Sequence, residues 1–143
     1  MVKLVQASAI VEAALLSARA NNLPPMTVAV LDAGGHLVAF QREDGSSLLR
    51  EDIARAKAWG ALGMGVGSRA FTEKAAHHPA FFTALSAISG GRIAPVAGGV
   101  LVRGVSNEII GAVGVSGHLP DADEACAVDG IKATGLKADP GAG

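Results

Sequence analysis

Two apolar runs punctuated by glycine constrain the fold of this chain more than any other feature of its sequence. The runs cover residues 95–103 and 109–118, and a short polar break separates them. Each has strand length, is rich in β-branched residues and is bounded by turn formers, so together they predict a hairpin at the centre of a buried sheet. Glycines inside strands mark a bulge or the close approach of another backbone or a ligand. Four glycines here indicate close approach: Gly98, Gly99, Gly111 and Gly114.

The composition bounds the class of protein. A chain of 143 residues suits one domain with a real core. Lys and Arg total 12 against 13 Asp and Glu, and aromatic residues make up 3%, which is unlike a nucleic-acid-binding protein. Half of the residues are hydrophobic, but no stretch reaches the roughly 18 apolar residues of a membrane-spanning helix. The sequence predicts a cytoplasmic homo-oligomer that has no export signal and binds neither membranes nor nucleic acid.

Helical and strand patterns follow one another along the chain. Apolar periodicity, caps and helix-stopping residues predict helices over residues 3–21, 48–64, 68–76, 79–89 and 120–134. Strands over residues 26–31 and 36–42 form a first hairpin, in whose turn Asp32 is expected to accept hydrogen bonds from backbone amides. The order α-β-β-α-α-β-β-α, with two or three helices in the middle group, favours an α+β fold with helices packed on an antiparallel sheet.

Small residues and the last helix complete the outline. The helix predicted over residues 48–64 carries alanines and glycines that allow unusually close packing. Gly135 closes the final helix, so we expect residues 1–134 to form a single domain and residues 135–143 to form a flexible tail.

Five motifs, taken in this order, resemble the GlcG/HbpS family. They are VAVLDAGGHL (28–37), QRED (41–44), ARAKA (54–58), GGV (98–100) and IGAVGVSG (110–117), with the carboxylates of 121–124 directly after them. The resemblance covers nearly the whole chain and extends to the C-terminal domain of PduO-type corrinoid adenosyltransferases. It implies an α+β fold with a five-stranded antiparallel sheet, a dimer that assembles into larger oligomers such as an octamer, and, for some members, haem binding. Many members have no established activity.

Four histidines bear on haem binding, which requires an axial ligand in an apolar slot. His118 lies just past the glycine-rich hairpin, where the family usually has a small residue, so it is a candidate ligand or catalytic residue. The alternative is a polar loop residue at the end of a strand. His36, His77 and His78 are predicted to have structural or surface roles. Adjacent histidines rarely aim at one ion, and no metal site is predicted.

A second set of residues is suited to a small organic acid. Arg42 and Asp44 leave the second predicted strand together, and Lys57 lies one helix away, so that a two-pronged donor and a point charge could hold a carboxylate. The alternative is an ion-pair network that ties the hairpin to the helix. Glu124 would serve as a general base if apolar neighbours raised its pKa, or it is a carboxylate favoured by the helix dipole.

Other patterns exclude two kinds of site. The amides of Gly98 and Gly99 could bind an oxyanion, but no Gly-Lys-Ser/Thr sequence follows, so they do not form a phosphate loop. Cys126 lies in the body of a helix as a small buried residue, and Ser116 lacks the spacing of a nucleophile elbow. Nucleophilic catalysis is therefore not indicated.

Two functions from different classes remain. In the first, which the resemblance favours, the chain is a GlcG/HbpS-like protein whose oligomer binds haem or a related planar ligand. In the second, it is a small catabolic enzyme of the isomerase or lyase type. That enzyme would hold an organic acid through Arg42 and Lys57, near the Gly98–Gly99 amides, with Glu124 or His118 as the acid or base.

Overall fold

The computed structural model of the chain describes residues 1–141 and confirms the α+β fold. The helices are α1 (Leu4–Ala20), α2 (Arg50–Met64), α3 (Phe71–His77), α4 (Pro79–Ile88) and α5 (Pro120–Ala133), and a 3₁₀ turn at Ser68–Ala70 leads into α3. The strands are β1 (Thr27–Asp32), β2 (Leu37–Arg42), β3 (Gly99–Arg103), β4 (Ile109–Ser116) and β5 (Lys137–Asp139).

The five strands form one antiparallel sheet in the order β2-β1-β4-β3-β5. β4 lies at the centre and pairs with β1 on one side and β3 on the other, which confirms the glycine-rich hairpin as the middle of the sheet. The turn between β1 and β2 also agrees with the prediction. Asp32 Oδ1 accepts hydrogen bonds from the amides of Gly34, at 2.9 Å, and His36, at 3.1 Å.

The fifth strand corrects the prediction of a flexible tail. Lys137–Asp139 pairs with β3 along the edge of the sheet, and Arg103 Nε donates to Asp139 Oδ2 at 2.8 Å. Three residues are too few to show a strand period in the sequence, whereas the unpaired edge of β3 offers them hydrogen-bonding partners. Residues 142–143 of the predicted tail lie outside the described residues.

Helices cover both faces of the sheet. Successive side chains along a strand point to opposite faces, so each strand supplies two cores. The larger core joins α1 and α5 to one face and includes Ile10, Val28, Val30, Val113, Val115 and Ile131. The smaller core joins α2 to the other face and consists of Leu31, Ala58, Ala61, Leu101 and Ala112. Among residues 1–141, no helix combines the length and apolarity needed to cross a membrane.

The glycines of β3 and β4 predicted the close approach of a ligand or another backbone, and the structure shows that the backbone of α2 approaches two of them. A Cβ atom on Gly114 would lie 1.8 Å from the carbonyl oxygen of Ala54, and one on Gly99 would lie 2.1 Å from that of Lys57. These distances are far below van der Waals contact. Glycine in β3 and β4 therefore lets the backbone of α2 rest directly on the sheet, and the small residues of α2 complete the fit.

Candidate functional site

A buried ion pair lies where the two helical layers meet at the end of β4. Lys57, on α2, is 2% exposed and Asp123, on α5, is 1% exposed. Lys57 Nζ donates to Asp123 Oδ2 and to the carbonyl oxygen of Val115, each at 2.9 Å. Burial lowers the pKa of the Lys57 ammonium group, the charge of Asp123 opposes that shift, and nearby Arg50 adds to it.

This pairing gives Lys57 a partner that the sequence did not identify. The sequence suggested that Lys57 joins Arg42 in holding a ligand or tying the first hairpin to α2, but its charge is instead matched by Asp123. The partner was visible in the sequence only as one of several carboxylates that open α5. Since the two residues are 66 positions apart, no local pattern shows which of those carboxylates points inward.

Asp123 also shapes the loop between β4 and α5. Its Oδ1 accepts a hydrogen bond from the backbone N–H of His118 at 2.9 Å, and its own N–H donates to the carbonyl oxygen of Leu119 at 3.0 Å. One carboxylate therefore holds α2, through Lys57, and the loop that carries His118. His118 and Leu119 in this loop are exposed, whereas the Asp123 side chain that holds the loop is buried.

The side chain of His118 borders an open depression of about 610 Å³. Most of the other lining residues are apolar: Leu23, Val96, Ala97, Leu119, Pro120 and Ala122. Arg69, Thr72 and Asp121 supply its polar wall. We call this surface the His118 depression. It combines an accessible imidazole with mostly apolar walls, which are the two features that haem binding requires.

Glu124 lies in ionic rather than apolar surroundings. Arg69 Nε donates to Glu124 Oε2 at 2.8 Å, and an Nη atom of the same guanidinium group bonds Asp121. The hydrogen bonds and charges of both carboxylates raise the pKa of Arg69. A general-base role for Glu124 depended on apolar neighbours that raise its pKa. The structure instead places the guanidinium group of Arg69 beside this carboxylate.

The Gly98–Gly99 backbone is used within the fold. The amide of Gly99 donates to Ser68 Oγ at 2.8 Å, and Ser68 Oγ donates to the carbonyl oxygen of Val96 at 2.6 Å. Gly98 has a φ of +122°, and a Cβ there would lie 2.7 Å from Lys57 Nζ. The predicted oxyanion pair thus has one amide already occupied by a serine that the sequence did not connect with it.

Arg42 and Asp44 lie at the outer end of β2. Both are exposed, and they line an open depression of about 510 Å³ with Arg19 and Glu43, which form their own ion pair at 3.0 Å. Arg42 donates from Nη2 to the carbonyl oxygen of Ser46. Within residues 1–141 neither Arg42 nor Asp44 has a salt-bridge partner, so the network proposed as an alternative does not include them.

The other histidines are exposed and lie elsewhere. His36 contacts Asp32 in the first turn, with Nδ1 3.1 Å from Oδ1. His77 and His78 border a depression of about 830 Å³ whose remaining walls carry Arg69, Glu73, Lys74 and Asp139. In the described part of the chain, no three His, Cys, Asp or Glu side chains cluster as a metal site would require.

A protein-family model matches nearly the whole chain. The model of the family described as "haem degrading protein HbpS-like" matches residues 2–132. The chain therefore belongs to the HbpS-like family, as its motifs predicted. No curated protein matches its sequence.

Solved structures share the whole fold. A PduOC:heme complex superposes with a TM-score of 0.85 and 22% sequence identity, over 95% of this chain and 96% of that one. The ORFY protein of Klebsiella pneumoniae has a TM-score of 0.83 and 27% identity, over 94% and 90% of the two chains. A double mutant of HbpS from Streptomyces reticuli has a TM-score of 0.79 and 24% identity, over 92% and 86%.

Proposed function

We propose that this protein binds haem, or a planar apolar ligand of the same kind, in the His118 depression. The observation that carries the proposal is the exposed imidazole of His118 beside a mainly apolar surface. Ligand sites are typically concave, largely apolar and equipped with few polar groups. The family description and the haem complex of a structural neighbour support the same class of ligand.

The donor set of the His118 depression fits haem. An imidazole is the commonest axial ligand of haem iron, and Leu23, Val96 and Pro120 are suited to contact a porphyrin edge or face. Arg69 gives the rim a guanidinium group that could meet a propionate, although Glu124 and Asp121 already hold it in place. Bound haem would supply a redox-active iron, and the protein would supply its ligand and its apolar surroundings.

The depression beside His77 and His78 suits haem less well. It is larger, but charged side chains form much of its wall, namely Arg69, Glu73, Lys74 and Asp139. A porphyrin face buried against these groups would desolvate their charges, including those of Glu73 and Lys74, which are exposed. The His118 depression avoids this cost because its walls are mostly apolar.

Binding is favoured over acid–base catalysis at the residues that the sequence singled out. Glu124 is held by Arg69, and Lys57 is buried against Asp123. Neither group is available to a substrate without breaking an ion pair. We also propose that the protein acts as a homo-oligomer, since large apolar side chains remain exposed on the single chain, among them Leu48, Leu49, Phe81, Ile88 and Leu119.

A titration with hemin tests the proposal. We expect a sharp Soret band that saturates near one hemin per chain, and a loss of affinity of roughly tenfold or more in His118→Ala. Since His118 is exposed and its side chain makes no hydrogen bond within residues 1–141, the substitution should leave the fold unchanged.

The matched control is His78→Ala, which removes an exposed imidazole from the neighbouring depression. It should bind hemin like the parent. Broad absorbance without saturation in the parent would refute haem binding. A loss of the Soret band in His78→Ala alone would place the haem site in the depression beside His77 and His78 instead.

A further inference from the structure

A row of polar side chains crosses the end of the sheet beneath the start of α2. Thr27 of β1 lies directly opposite Arg42 of β2 and, on its other side, opposite Ser116 of β4. Directly paired residues of antiparallel strands project from the same face of a sheet. Thr27 and Ser116 are both fully buried, and Arg42 closes the row at the exposed edge.

This row faces α2. Leu31, four residues after Thr27, and Ala112, four residues before Ser116, both pack in the core that includes Ala58 and Ala61 of α2. Side chains four apart along a strand share a face, so Thr27 and Ser116 face the same helix. From that helix, Arg50 Nη1 donates to Ser116 Oγ at 3.1 Å.

Two buried hydroxyl groups in this row have unused hydrogen-bonding capacity. Thr27 Oγ1 has no hydrogen-bond partner in residues 1–141 although no part of the residue is exposed. Ser116 Oγ accepts from Arg50 and donates no hydrogen bond among the described residues. A buried hydroxyl without a partner costs free energy, and native proteins leave few of them. Each hydroxyl group therefore has an O–H donor that an acceptor placed here would satisfy.

The charge of the row is also unbalanced. Arg50 is half-buried, and neither it nor Arg42 has a carboxylate within salt-bridge distance in the described part of the chain. Lys57, close enough to Arg50 for their charges to interact, already has Asp123.

The first turn of α2 lies here too, where the helix dipole adds partial positive charge. That turn also carries two carboxylates, Glu51, which pairs with Arg55, and the exposed Asp52. Because Arg50 and Arg42 lack carboxylate partners among the described residues, an anionic acceptor suits this place.

We propose that Thr27, Ser116 and Arg50 form a binding site for a small carboxylate, with Arg42 at its outer edge. Two hydroxyl donors and a guanidinium group match the two oxygens and single charge of a carboxylate. This site is separate from the His118 depression and does not rest on the proposed binding of haem. In the organic-acid hypothesis drawn from the sequence, Lys57 was to bind the carboxylate; at this site Arg50 takes that role.

Thermal unfolding in the presence of small anions tests the site. Sodium acetate and sodium formate should raise the unfolding temperature of the full chain in a saturable manner, beyond the effect of sodium chloride at equal ionic strength. Sodium phosphate should act like chloride. An equal saturable effect of phosphate would overturn the assignment to a carboxylate.

Two variants remove donors from the site. Thr27→Val keeps the shape of the side chain without its hydroxyl, and Arg50→Gln removes the charge. Each should weaken the apparent affinity for acetate by roughly tenfold or more. The matched control is Arg55→Gln, because Arg55 lies on the exposed side of the same helix and pairs with Glu51 at 3.5 Å. It should respond to acetate like the parent.

Saturation-transfer NMR with acetate provides a readout that does not depend on stability, should Arg50→Gln fold poorly. We expect transfer from the parent and from His118→Ala, and little from Thr27→Val. Equal transfer in the parent and Thr27→Val would overturn the site and leave a water molecule as the partner of the hydroxyl. A response lost only in His118→Ala would place acetate in the His118 depression instead.

Discussion

At the scale of single residues, the buried pair of Lys57 and Asp123 has the largest consequences. Removing one member of a buried ion pair leaves the other charge desolvated and uncompensated. Without Lys57, the Asp123 carboxylate would keep only its hydrogen bond from the His118 amide. Without Asp123, the Lys57 ammonium group would keep only its hydrogen bond to the carbonyl oxygen of Val115. The pair thus makes each residue depend on the other, and it fixes the loop that presents His118.

We therefore predict that Lys57→Met or Asp123→Asn alone lowers the free energy of unfolding by about 3–5 kcal/mol. The double variant should lose clearly less stability than the sum of the two single variants, because it removes both charges. Its Asn side chain can still accept a hydrogen bond from the backbone N–H of His118. Urea unfolding of all four proteins gives this coupling. Strict additivity would show that the two charges do not interact.

An exposed pair on α2 is the control for that cycle. Arg55 and Glu51 lie 3.5 Å apart with nearly half of each side chain exposed. Solvent screens such pairs, so Arg55→Met should change the free energy of unfolding by less than about 1 kcal/mol.

Residue roles were the part of the site that the sequence predicted least well. Asp32 was assigned correctly, because its partners are the amides of its own turn. The partners of Lys57 and Glu124 were missed, because each lies on an element distant in sequence. The signal for Thr27 and Ser116 was weaker still, since an unpaired hydroxyl can be recognised only once its surroundings are known.

At the scale of elements, the contact between α2 and the sheet depends on glycine. An alanine at position 114 would place its Cβ 1.8 Å from the carbonyl oxygen of Ala54, a backbone atom that can move only with the helix. We expect Gly114→Ala to lower the free energy of unfolding by at least about 3 kcal/mol, or to prevent folding. Chemical denaturation measures the first outcome and solubility on expression the second.

Gly63→Ala is the matched control for this prediction. Gly63 is exposed on α2, and the atoms nearest to a Cβ there belong to the ring of Trp59, at 3.3–3.8 Å, so a small shift of that side chain makes room. Because alanine favours a helix by about 1 kcal/mol over glycine, the change should be neutral or stabilising. Two variants of equal stability would refute direct backbone contact as the reason for glycine in β4.

At the scale of the whole molecule, exposed apolar side chains bear on assembly. Leu48, just before α2, is 89% exposed, and on α4 Ile88 is 80% and Phe81 56% exposed. Light scattering coupled to size exclusion should give at least twice the mass of one chain. The mass should persist at about 1 M salt, since screening weakens charge contacts but not apolar ones. A monomer would contradict the proposed homo-oligomer.

The sequence by itself determined the α+β class, the two hairpins and the close-packed α2, because periodicity, turn chemistry and side-chain size act over a few neighbouring residues. Only the tertiary structure decided that Lys137–Asp139 joins the sheet, that Asp123 neutralises Lys57, and that Arg50 of α2 donates to Ser116 of β4. Such contacts depend on strand register and on the closure of long loops. For that reason no spacing of residues along the chain could reveal them.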